Sequence, residues 1–336
     1  MIAAGVSVMD RRTVISGAAC CIIGATHFHA KAQRPEAPVI GFLSSRSPEE
    51  SAAHAAAFRR GLADSGFVDP ESVVIEYRWA KGDYGRLPGL ATSLAKLRVN
   101  VLVAVGGTPS ALAAKTVAGA IPIVFLIGDD PVKLGLVSSL GRPGRNLTGV
   151  TFVTTELGAK RLEVLYELVP NASLSAFLLN PHFADAAAQG EAMQSAARSL
   201  GRRLLVLQAS TEAQIAASFA TLGREGVGVL VVQNDPFFDS QRKQIVALAS
   251  RNAIPAIYHI REFPAAGGLI SYGASLADAY RQVGIYAGRI LKGATPGELP
   301  VEQPTRFEMV INVKTAKALG ITVPQSMLLR ADEVLQ

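Results

Sequence analysis

VIGFLSSRSPEESAAHAAAFRRGLADSG (39–66) decides the reading of this chain, because it returns as SAFLLNPHFADAAAQGEAMQSAARSLG (175–201). Each copy runs from a short apolar strand through a polar break to a helical segment closed by glycine. The echo extends outward on both sides. VLVAVGGTPSALAA (101–114) is answered by VLVVQNDPFFDSQRKQIVALA (229–249), and IPIVFLIGDDP (121–131) by IPAIYHIREFP (254–264). The copies lie roughly 130 residues apart, so whole domains repeat and not a solenoid unit.

Within the first copy, VIGFL (39–43) reads as a parallel strand buried on both faces. Ser47-Pro48-Glu49-Glu50 then reads as a cap, a first-turn proline and acids that suit a helix start. Strands follow at 73–79, 101–105 and 121–127, with helices over about 84–97, from 108 and from 131 to 140. Alternating strands and helices of these lengths demand right-handed crossovers and a mainly parallel, doubly wound sheet. GRPGRN (141–146) breaks the pattern, and LTGVTFV (147–153) leads into the second copy. Its helices are expected at 156–169, 184–200, 212–225 and 239–252, and its last strand at LISYG (269–273). A helix over 276–292 and an alternating strand, RFEMVIN (306–312), close the pattern. That strand is expected on the edge of the first sheet, which assigns 33–150 plus about 273–336 to lobe 1 and 151–272 to lobe 2.

A length of 336 residues supports two such cores. The charge is +6, but the basic residues are scattered and lack aromatic interleaving, which argues against a nucleic-acid partner. Arg11-Arg12 before the apolar run VISGAACCIIGA, with Ala30-Lys31-Ala32 beyond, reads as an export signal over 1–32. The paired arginines fit a twin-arginine signal as well as ordinary secretion, and Met9 offers an alternative start. Both cysteines, Cys20 and Cys21, fall inside that segment, so a mature chain has neither disulfide nor thiolate chemistry. The histidines show no metal spacing, and GGTPSA lacks the dinucleotide fingerprint, so no cofactor is expected.

In doubly wound sheets ligands meet the carboxyl ends of strands. Those ends nominate Ser44 and Ser45, Trp79, Gly107 and Thr108, and Asp129 and Asp130 in lobe 1. Lobe 2 offers Asn180, Asp235, Tyr258 and Tyr272. Gly106-Gly107-Thr108 allows close backbone approach to a helix start and suits a carboxylate. Thr108 and Asp130 also qualify as simple helix caps. Asp129 is placed to pair with an ammonium group, and Trp79 to stack on a flat ligand. Glu262, in the loop after Tyr258, is a further polar candidate. No nucleophile, base or phosphate loop accompanies these residues, so an enzyme is not expected.

The order VIGFLSS, GGTPSALAAK, IPIVF…GDDPV, NLTGVTF and INVKTAKALGITVP closely resembles the ABC-transporter substrate-binding proteins of the tryptophan/tyrosine-type group. The resemblance covers essentially all of the chain beyond the signal. It implies a type I periplasmic binding protein: two Rossmann-like lobes joined by a hinge, gripping a small solute and delivering it to a membrane permease. On that reading the protein is a periplasmic monomer binding a small carboxylated solute, such as an aromatic or branched amino acid. A ligand-sensing receptor ectodomain on the same fold is the alternative.

Overall fold

The computed structural model describes residues 37–152, 155–183, 185–304 and 307–336. The expected export signal at 1–32 lies outside the described residues. Residues 37–336 form one compact unit carrying two sheets.

Lobe 1 opens with β1 (Val39–Ser44), α1 (Ala52–Asp64), β2 (Val74–Trp79) and α2 (Leu87–Lys96). It continues with β3 (Val101–Val105), α3 (Thr108–Val117), β4 (Ile123–Ile127) and β5 (Leu147–Thr151). The sheet order is β2-β1-β3-β4-β5, all parallel. Its central strands are buried along their whole length, as apolar runs without alternation require.

Lobe 2 comprises α4 (Thr155–Leu168), β6 (Leu174–Leu179), α5 (Ala186–Ser199), β7 (Arg203–Gln208), α6 (Glu212–Arg224) and β8 (Val229–Val232). Next come α7 (Pro236–Ser240), α8 (Arg242–Arg251), β9 (Ala256–Tyr258), α9 (Glu262–Ala265) and β10 (Ile270–Ala274). The chain then forms α10 (Leu276–Leu291), β11 (Phe307–Asn312), α11 (Val313–Ala318), α12 (Gln325–Arg330) and β12 (Glu333–Leu335). The second sheet runs β12-β11-β10-β9-β8-β6-β7, parallel except where β11 meets β10.

Three expectations need correction. RFEMVIN does not complete the first sheet: β11 pairs antiparallel with β10 and is covered on its other side by β12, so it is interior to the second sheet. Only the stretch between β10 and about Glu302 returns to lobe 1, where α10 packs against α1, β3, β4 and β5 and Glu302 bridges Val150. No helix follows Pro131. Asp130 instead caps one turn through the amides of Val132 and Lys133, and Gly135 at φ +63° ends it. The helix expected over 239–252 is two helices, because Asp235 caps an earlier start at Pro236 and the chain re-aims at Gln241.

The α1–α10 crossing holds lobe 1 together. Gly61 faces Gly284, and a Cβ on Gly61 would lie 1.9 Å from the Arg281 carbonyl oxygen. Two bare backbones touch there, closer than ridge-into-groove packing of side chains allows. One apolar cluster runs from this crossing through Tyr280, Leu276 and Phe238 to Tyr258 and Phe263, so it spans both lobes.

Candidate functional site

The loops at the carboxyl ends of both sheets face one another and line a narrow cleft between the lobes. Arg46 after β1, Gly106 and Gly107 after β3, and Leu276 and Tyr280 on α10 form its lobe 1 wall. Phe183, Asn234 and Pro236 close it from lobe 2, while Leu126 and Phe152 add apolar surface. Gly106 and Gly107 hold φ of +80° and +108°, where glycine alone is unstrained. A Cβ on Gly107 would approach Pro236 Cγ to 2.9 Å, so this glycine permits contact between the lobes.

The nominated residues separate into three groups. Gly107 alone among them lines the cavity. Ser44, Ser45, Thr108 and Asp129 form the layer immediately behind it. Ser44 accepts from the Arg46 amide at 3.2 Å, and Ser45 Oγ donates to the Gly106 carbonyl at 2.5 Å. Thr108 is not a cap, since Gly107 holds that position. Its hydroxyl donates to Asp129 Oδ2 instead. Asp129 is 3% exposed, and its Oδ1 has no partner. Burial pushes its carboxyl up to about 6 against the pull of the Thr108 hydroxyl, with Asp185 adding to the rise.

The second group joins the lobes. Tyr84 Oη donates to Asp235 Oδ2 at 3.0 Å and accepts from the Phe237 amide at 3.1 Å. Asp235 also caps α7 and accepts from Asn180 Nδ2 at 3.1 Å. Burial pushes Asp235 up to about 6, against hydrogen bonds from Asn180, Tyr84 and the Phe238 amide. Through these bonds Tyr84 of lobe 1 is tied to the buried Asp235–Asn180 pair of lobe 2.

The third group lies elsewhere. Asp130 is the turn cap already described. Tyr258 is fully buried and stacks on Phe263 at 4.3 Å, in the core. Trp79 does not offer a free face: as the last residue of β2 it packs on Phe42 at 5.3 Å and stacks on Tyr77. Tyr272 is half-buried near Phe307, and its carbonyl accepts from Arg161 Nε at 2.8 Å. Pleat direction explains these: a residue at a strand end points alternately to the cleft side and into a sheet face.

Sequence reasoning missed Arg46, Asp239, His259 and His54, and named of this charged set only Glu262. Arg46, 5% exposed, pairs across the cleft with Asp239 at 2.5 Å, and His259 Nε2 lies 3.1 Å from the same carboxylate. Burial alone would raise Asp239, but Arg46 and His259 hold it below the usual carboxylate range. Burial lowers His259, outweighing the pull of Asp239. His54 on α1 reaches Glu262 on α9 at 3.0 Å and stacks on Tyr280 at 4.9 Å. Burial would raise Glu262, yet the His54 contact brings it below its ordinary value. The usable signal was an arginine directly after a strand-end serine pair. Its partner, nearly two hundred positions away, leaves no local trace.

Among the described residues no group of His, Cys, Asp or Glu could hold a metal ion. None of their helices is long and apolar enough to cross a membrane.

The family model for ABC transporter substrate binding protein matches residues 39–335. A tyrosine-binding protein of Clostridioides difficile is 27% identical over 265 residues, covering 79% of this chain and 75% of that protein. Among solved structures, an ABC domain in complex with L-Trp from Streptococcus pneumonia superposes with a TM-score of 0.82 at 25% identity. It covers 89% of this chain and 100% of that one. A conserved domain protein from Vibrio cholerae gives the same values. The ligand-free, open structure of a Clostridium difficile substrate-binding protein covers 89% and 99% at the same identity but reaches only 0.64. Equal coverage and identity with a lower score point to a different arrangement of similar lobes. The contacts across the cleft in this chain agree with the gripped arrangement. The leucine-binding protein LivK of Thermotoga maritima, at 13% identity and a TM-score of 0.54, shares the type I periplasmic fold.

Proposed function

The chain belongs to the ABC transporter substrate-binding family, and from that premise we propose that it captures an amino acid with an aromatic side chain for an importer. The observation that carries this reading is the cleft where both lobes converge, whose walls mix a few polar groups with Leu126, Phe152, Phe183 and Leu276. A charged solute held there on lobe closure needs both of its charges met, because burial of an unpaired ion is costly.

In this reading the solute's carboxylate meets the Gly106–Gly107 backbone and the start of α3, where N–H groups and the helix dipole favour an anion. Its ammonium group meets Asp129, whose free oxygen lies behind the cavity-lining Gly128. The ring lies among the apolar walls. Closure is a population shift: the open arrangement exposes both halves of the site, and a solute touching both favours the closed one. The ligands named for the relatives, tyrosine and L-Trp, carry the same pair of charges and an aromatic ring. Delivery to a permease, export to the periplasm and a monomeric state complete the proposal.

The test is a thermal-shift and calorimetric screen of the mature protein against the amino acids and a matched set of aromatic acids without the amine. L-tyrosine or L-tryptophan should raise the melting temperature in proportion to the logarithm of concentration, and the acids should not. A screen in which no amino acid shifts the melting temperature refutes the reading.

A further inference from the structure

Arg46 has two tasks that one side chain can perform together. Its Nη2 bonds Asp239 of the opposite lobe at 2.5 Å, while its Nε is buried without a partner. The same residue lines the cleft beside Gly106, Gly107 and Tyr280. A guanidinium presents five donors in a fixed fork, so an ion pair made by one nitrogen leaves another edge free. A buried donor with no acceptor is costly unless something is meant to bond it. The Tyr280 hydroxyl lies against the Gly106 backbone, and Tyr280 is held flat by stacking on His54. Around one corner of the cleft, then, stand Arg46, Tyr280 and the glycines at the start of α3.

We propose that Arg46 reads the solute's carboxylate, and that it does so only while Asp239 holds its other edge, so that lobe closure and recognition of the anion are one event. The proposal rests on the amino-acid reading and names the group that discriminates within it. When the lobes part, Asp239 and His259 leave with lobe 2, and Arg46 is free to leave the orientation that its ion pair with Asp239 fixes. When they meet, Asp239 fixes the fork. Asp239 itself is kept in place by His259, directly after β9, and by its seat on α7. Asp239 is thus a positioning residue that never touches the solute. A ligand lacking the carboxylate would leave the Nε unbonded in the closed state, so it would be rejected at the moment of closure and not at first encounter.

The test compares L-tyrosine with L-tyrosinol, and L-tryptophan with L-tryptophanol, by calorimetry on the full mature protein. Each alcohol keeps the ring and the ammonium and lacks only the carboxylate. The unaltered protein should prefer the amino acid by about 10- to 100-fold, the range of a charge-assisted hydrogen bond. Arg46→Met should bring that ratio to within a few fold. Arg46→Lys keeps a cation for Asp239 but lacks the Nε, and it should lose the ratio while the protein melts as before. Asp239→Asn should weaken the amino acid several-fold more than the alcohol, which a merely structural residue would not do. Equal losses for acid and alcohol in Asp239→Asn, or an unchanged ratio in Arg46→Met or Arg46→Lys, overturn this proposal while leaving the amino-acid reading intact. Failure of all four probes on the unaltered protein overturns that reading, and this proposal with it.

Discussion

Acidification from about pH 7.5 to about pH 5 should weaken binding of an amino-acid solute about tenfold, with the change concentrated near pH 6. The cause is Asp129, whose carboxyl is pushed up to about 6 by burial. A free protein with that value is almost wholly ionised at the upper pH and about nine-tenths protonated at the lower one, and only the ionised form attracts an ammonium group. The solute keeps both charges across that range, so the slope belongs to the protein. Solute-free stability moves the opposite way. Folded Asp129 and Asp235 both hold protons more tightly than the unfolded chain does, so their contribution is fully present below about pH 4. It is lost as the pH rises through about 6, on the order of 3 kcal/mol for each group. Calorimetric titrations with L-tyrosine across this range, on the unaltered protein and on Asp129→Asn and Asp235→Asn, separate the two carboxyls. A dissociation constant that stays flat, or a slope that survives in Asp129→Asn, refutes the assignment of Asp129 to the ammonium.

Three further outcomes are expected. Tyr84→Phe removes both hydrogen bonds that the hydroxyl makes across the cleft. It should speed solute release about 5- to 30-fold in stopped-flow fluorescence, with little change in the association rate. Gly107→Ala places a methyl group against Pro236 at a φ of +108°. It should cost roughly 1–2 kcal/mol of affinity and leave a larger radius of gyration in X-ray scattering with saturating L-tyrosine. Gly61→Val drives a branched side chain into the Arg281 carbonyl, and the α1–α10 crossing cannot widen without emptying lobe 1. The melting temperature should fall by about 10 °C or more, and an unchanged value would show the crossing to be soft.

The lobes were legible because their information is local. Apolar runs such as VLVAV and the glycine-closed helices recur within each copy, and strand-helix alternation leaves little choice of topology. The placement of β11 was not legible. Its alternating pattern fits any half-covered sheet, and only its register with β10 identifies the neighbour. Asp129-Asp130-Pro131 carries every sign of a helix start, yet Gly135 ends the first turn. At the cleft, strand ends pointed to loops that converge between the lobes but not to which side chain faces inward. Ser45 and Thr108 spend their hydroxyls on Gly106 and Asp129, while Arg46, one position further along, reaches the cavity. Trp79 and Tyr258 went astray because aromatic residues at strand ends serve packing as readily as stacking on a guest.

The chain passes between the sheets three times, after Phe152, at Ser275 and after Pro304. The residues flanking the passages are neighbours, since Val150 bridges Glu302 and Ala274 pairs with Phe307. Three crossings with neighbouring flanks should act like the knuckles of a door, resisting twisting and sliding and leaving one swing as the soft motion. The same wiring means that neither half is an unbroken stretch of chain. No single cut can release a complete half, and a protease nicking one tether should leave a protein that still opens and shuts along the same arc.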